Sequence, residues 1–174
     1  LSDNVLIWPD KKLREAAEII TQFGDEVNAL AKRLSDAMFE SGGIGLAAPQ
    51  IGVHKQMFIV EGSIFPVDFI PNHAVIGNIV FTNPVITWES EETNIELEGC
   101  LYFPEVFVPV VRPNKIKVSH TGIMGLTSEI EAEGLLARCI LHENDHLNGR
   151  LLVDNVGALK KSMIKRKMLR RKKK

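Results

Sequence analysis

The feature that most constrains this chain is the run GLLARCILHENDHL, residues 134–147, in which an apolar helical stretch ends in two histidines, two carboxylates and an amide. Leu135, Leu136, Ile140 and Leu141 make the segment apolar enough to pack inside the molecule. His142 and His146 stand four apart, so on a helix both rings project from one face. Buried imidazoles need partners. Two imidazoles at this spacing can bind one divalent ion, with the intervening Glu143 as general base on a water held there. The alternative, two histidines on an exposed helix face, fits the apolar flanks poorly.

Two histidines leave such an ion short of a ligand. After His146 the chain has no further His or Glu, only Asp154. The upstream stretch LEGCLYFPE offers Cys100 in a glycine-containing turn, and a thiolate is a strong ligand for Zn²⁺ or Fe²⁺. A buried small hydrophobe is the other reading of a lone cysteine. Cys139, three before His142 on the apolar stretch, fits that second role better.

The rest of the chain frames this centre. A length of 174 residues suits one domain with one sizeable core. Asp25 to Glu40 carries apolar residues at helical spacing and stops at Ser41-Gly42-Gly43. Strand-like runs follow: QMFIVEG, NIVFTNPVITW, FVPVVRP, NKIKVSH and TSEIEAE, punctuated by Pro, Gly and Asn. Helix, antiparallel-looking strands and helix together predict an α+β fold. No apolar run reaches the roughly 20 residues needed to span a bilayer, and LSDNVLIWPDKK lacks the pattern of a signal peptide. Two cysteines are too few for a disulfide framework, which favours a reducing compartment.

The net charge of −1 conceals a division. Residues 160–174 hold ten Lys and Arg and no acid, against a body of net charge −11. That asymmetry suggests a polyanionic partner, or else a solvated C-terminal helix.

GIGLAAPQIG (43–52), EGCL (98–101) and HENDH (142–146) occur in the order and approximate spacing of the three motifs of peptide deformylases, and the chain resembles that family over nearly its whole length. The resemblance implies antiparallel sheets packed around a central helix carrying the HExxH motif, followed by a C-terminal basic helix. It implies a catalytic domain at 1–159 with an extension at 160–174. The implied activity is removal of the N-formyl group from the N-terminal methionine of nascent polypeptides. Cys100, His142 and His146 would hold one divalent ion, Fe²⁺ natively with Zn²⁺ or Ni²⁺ as substitutes. Glu143 would move the proton, Gln50 and the Leu101 N–H would stabilise the oxyanion, and Gly45 would let the substrate backbone approach. Glu98 and Arg112, fourteen apart, would pair and support the Cys100 turn, and Asp145 would be structural.

Ile44, Glu96, Leu135 and Arg138 are the expected pocket residues, with either Glu96 and Arg138 facing each other across its mouth or Arg138 reaching out to solvent along its aliphatic stem. Tyr102 and Asn144 depart from the family's usual pattern, which predicts tuning rather than loss. The resemblance also implies that the basic tail docks on ribosomal RNA, that no membrane is involved, and that the protein works in a bacterial-type cytoplasm or an organellar matrix. The competing functions are a metalloprotease-like endopeptidase and a weakened or repurposed metal-binding, RNA-associated protein of the same fold.

Overall fold

The computed structural model describes residues 3–69, 74–75 and 77–171. Helix α1 spans Asp25–Ser41 and buries Val27, Leu30, Ala31, Leu34 and Met38, one stripe at helical period. It ends where the periodicity ends. Gly42 adopts a left-handed φ of 68°, and its N–H closes on carbonyls of the last turn. Eight strands follow: β1 (Gly45–Ala47), β2 (Met57–Glu61), β3 (Ala74–Val75), β4 (Asn78–Glu89), β5 (Thr93–Cys100), β6 (Phe103–Pro113), β7 (Lys115–Thr121) and β8 (Thr127–Glu133). Helix α2 is Gly134–Leu147 and α3 is Ala158–Arg171.

All strand pairs are antiparallel. The larger sheet runs β1-β2-β4-β7-β8, with β3 also paired to β4, and β5-β6 form a separate two-stranded hairpin. Strand β2 explains how the larger sheet is filled. Phe58 and Val60 enter the core that contains α2, whereas Met57 and Ile59 enter the core that contains α1. Both faces are buried, so β2 reads as an unbroken apolar run. A third core holds the hairpin residues Val108 and Val110, Trp8 and Leu13 from the N-terminal segment, and Ile164 and Met168 from α3.

The α+β class and the antiparallel sheets agree with the sequence, but one part of that expectation is corrected. The metal-ligating unit is not an HExxH motif on a helix; it is the triad Cys100, His142 and His146. The helix supplies two of its ligands and the hairpin the third. The five residues of HENDH supply only two of the three ligands, so the site depends on the meeting of β5 and α2. Cys100 is also the last residue of β5, at a register shift after Gly99, rather than part of an open turn.

Candidate metal centre

The Cys100 Sγ lies 3.4 Å from His146 Nε2, and the ligand atoms of the triad all lie within 4.8 Å of one another. His142 Nδ1–H donates to the Glu98 carboxylate at Oε2, 2.8 Å away, which leaves its Nε2 for the cluster. His146 is buried, and its Nδ1 has no hydrogen-bond partner among the described residues. One thiolate and two imidazoles form a donor set suited to Fe²⁺ or Zn²⁺ and leave a coordination position open, as a catalytic ion requires. The residues fit a divalent ion.

Glu98 is the hub behind the ligands. Its carboxylate accepts from Arg112 Nε at 2.8 Å, Arg112 Nη2 at 2.9 Å and Arg138 Nη1 at 2.8 Å, besides the contact with His142. Burial alone would raise its pKa, but the hydrogen bonds from Arg112 and His142 bring it down to about 2. Arg112 also donates to Asp145 Oδ2 at 2.8 Å, which gives Asp145 the supporting place expected for it. Burial would lower the Arg112 pKa, but the carboxylates of Glu98 and Asp145 hold it above its ordinary value.

The structure separates the expected Glu96–Arg138 pair. Arg138 is buried and bonded to Glu98, to the Val110 carbonyl at 3.0 Å, and to both the carbonyl and the side chain of Asn94. Glu96 is exposed and does not line the cleft; its neighbour Leu97 does. A buried guanidinium takes the carboxylate that is also buried, while Glu96 keeps its hydration. Nor does Arg138 reach out to solvent along its stem.

Cys100 and His142 of the triad open on a cleft of about 770 Å³ lined also by Ile44, Gly45, Leu101, Leu135, Arg138 and Glu143. Gln50 is buried behind it. Its Oε1 accepts the Ala47 N–H at 2.9 Å, so the amide is fixed with Nε2 toward Cys100 Sγ, 3.3 Å away. Glu143 is buried, and burial is the main cause that raises its pKa to about 7. Its Oε2 has no hydrogen-bond partner among the described residues. Gly45 makes room for it: a Cβ there would stand 2.7 Å from Glu143 Oε1 and 2.9 Å from Cys139 Sγ. Burial also raises the Cys139 thiol pKa, so it stays neutral as a small core residue.

Sequence reasoning assigned no contact to Tyr102. The side chain is fully buried, its hydroxyl accepts the Leu152 N–H at 2.6 Å, and its ring meets His146 edge-on with centroids 5.2 Å apart. Asn144 is half-buried. Asn94 was missed because nothing local marks it as the partner of a residue 44 positions away. Leu97 and Phe107, both lining the cleft, were missed as well. The alternation of Ile95, Leu97 and Gly99 along one strand face was the available signal.

The profile of the family described as polypeptide deformylase matches residues 2–162. The chain is 39% identical over 167 residues to a peptide deformylase of Bartonella bacilliformis, covering 96% of this chain and 91% of that protein. It is 40% identical over 163 residues to one from Methylocella silvestris, covering 94% and 81%. Among solved structures, a peptide deformylase from Legionella pneumophila superposes with a TM-score of 0.86 at 34% identity, covering 99% of this chain and 96% of that one. Another from Ehrlichia chaffeensis gives 0.88 at 31%, covering 99% and 98%.

Proposed function

The chain belongs to the peptide deformylase family, and we propose how its residues divide the work. The activity is hydrolysis of the N-formyl group on the N-terminal methionine of polypeptides, which releases formate and a free amine. Cys100, His142 and His146 would hold the divalent ion, which when bound would supply Lewis-acid chemistry at the formyl group. Glu143 takes the proton of the attacking water and passes it to the leaving nitrogen as the C–N bond breaks. A pKa of about 7 suits both halves of that task. Gln50 Nε2 and the Leu101 N–H are the donors for the oxyanion, and the lock on Gln50 from Ala47 orients its amide in advance. Gly45 admits the substrate backbone, and Ile44, Leu135 and Arg138 flank the first side chain.

The observation that carries this reading is the Cys100, His142 and His146 cluster with buried Glu143 facing the same cleft. The test is formate release from a formyl-Met tripeptide by protein loaded with Fe²⁺ or Ni²⁺, beside Glu143→Ala. Loss of turnover with metal content retained is expected. Undiminished turnover by Glu143→Ala would overturn its role.

The organisation we propose is a catalytic body at 1–159 and a basic extension at 160–174 that binds ribosomal RNA, in a cytoplasm or an organellar matrix. The last three extension residues lie outside the described ones. No helix among the described residues is long and apolar enough to cross a membrane. Lys165, Arg166 and Arg170 are exposed, whereas Ile164 and Met168 anchor α3 in the third core. Reversing those three charges preserves the anchor, and the expected outcome is loss of low-salt co-sedimentation with ribosomes. Unchanged co-sedimentation would remove the RNA proposal.

A further inference from the structure

The hairpin presents an apolar face to solvent. Ile95 pairs with Val111, Leu97 with Pro109 and Gly99 with Phe107, so these side chains share one side, opposite the buried Glu98, Val108, Val110 and Arg112. Ile95, Leu97, Phe107 and Val111 are 59–67% exposed, and Pro109 is exposed too. Contiguous exposed apolar surface of this kind marks an interaction site. Leu97 and Phe107 belong to this face and also line the cleft that contains Glu143 and His142. The face is therefore the outward continuation of the substrate cleft.

We propose that this face binds the polypeptide downstream of the formylated residue, so that the enzyme favours substrates with an apolar segment a few residues from the N-terminus. The proposal rests on the deformylase reading of the cleft. A permanent partner seated here would cover Leu97 and Phe107 and so obstruct the cleft mouth. The substrate is the partner that uses cleft and face together. From Gly99 to Ile95 the strand advances about 13 Å, which matches about four residues of an extended chain.

The test uses Ile95→Thr/Val111→Thr, a pair outside the cleft lining that keeps β-branched side chains on an exposed strand face. Substrates are a formyl-Met tripeptide and two formyl-Met decapeptides, one with Leu and Val at positions four to eight and one with Ser and Asn there. Wild type is expected to favour the apolar decapeptide about five- to tenfold in kcat/KM, through KM. The double variant is expected to lose that preference while its tripeptide turnover stays unchanged. Equal turnover of the two decapeptides by wild type, or a preference kept by the variant, would overturn the proposal. Fluorescence anisotropy with the unformylated decapeptides gives the same comparison without catalysis, so a failure to deformylate the tripeptide is separable from a failure of this face. A dimer at assay concentration that the double variant dissolves would assign the face to a second copy and overturn the proposal.

Discussion

Gly45→Ala tests how the site makes room for its general base. The added Cβ would meet Glu143 Oε1 at 2.7 Å, Cys139 Sγ at 2.9 Å and Glu143 Cδ at 3.0 Å. Ordinary contact requires about 3.5 Å, so the carboxylate and the backbone at position 45 must separate by about 0.8 Å. Glu143 is buried but lines the cleft, so its carboxylate end is what the methyl group displaces from the working position. Misplacing a catalytic group by about 1 Å costs on the order of a hundredfold, so kcat should fall by about ten- to a hundredfold. The fold should survive. Gly45 does not use a positive φ, so alanine recovers about 0.4–1 kcal/mol from the unfolded chain against an overpacking cost of about 1–3 kcal/mol. For a chain of this size that predicts a Tm lower by only a few degrees. The assay is formate release from a formyl-Met tripeptide, with metal content and Tm measured on the same preparation. Adding Cys139→Ala removes the 2.9 Å contact, lets the methyl group recede from Glu143, and should restore part of kcat. A higher KM with unchanged kcat would refute the reasoning, because it would confine the glycine to admitting the substrate.

Arg112→Met removes two hydrogen bonds to Glu98 and one to Asp145, so His142 loses its anchored orienting group. Metal affinity measured by chelator competition should fall about 10–100-fold, and an affinity within twofold of wild type would refute the linkage. Tyr102→Phe keeps the ring edge on His146 but strands the buried Leu152 N–H, costing about 1–3 kcal/mol in urea denaturation. A variant as stable as wild type would show that the hydroxyl contributes nothing there. Burial pushes the Asp154 carboxyl up, but hydrogen bonds from Arg14 and the Leu151 N–H hold its pKa below 3.8. A depressed folded pKa means that the stabilisation is complete above pH 3.8 and is lost as pH falls through the folded value. Asp154→Asn should therefore cost about 0.5–1 kcal/mol at pH 7, a small figure because both partners are partly exposed, and the gap to wild type should close in acid. A gap that stays constant as pH falls below 3.8 would exclude the ion pair as its source.

The elements that the sequence discloses are those whose signal is local. TSEIEAE is strand β8 residue for residue, and α1 and α2 lie where helical spacing and the bounding glycines put them. The triad was legible for the same reason: two ligands sit on one helical face, and the third falls beside a distinctive glycine. Strand β5 was not legible because it inverts the ordinary pattern. Alternation would bury Ile95 and Leu97 and expose Asn94 and Glu98, whereas the structure exposes the aliphatics and buries the carboxylate. An uncompensated buried carboxylate costs several kcal/mol, so the inversion depends on Arg112, Arg138 and His142 converging on Glu98. Those partners come from β6 and α2, and no window of sequence around β5 contains them all. The misplacement of Glu96 follows from this. β5 without its partners leaves the choice of carboxylate for Arg138 open between Glu96 and Glu98, and only the fold selects Glu98. Orienting His142 places Glu98 on the inner side of the hairpin, and strand geometry then puts Ile95 and Leu97 outside. The apolar face beside the cleft is thus a consequence of building the metal centre from a strand, and selection for longer substrates needs only side chains already facing that way.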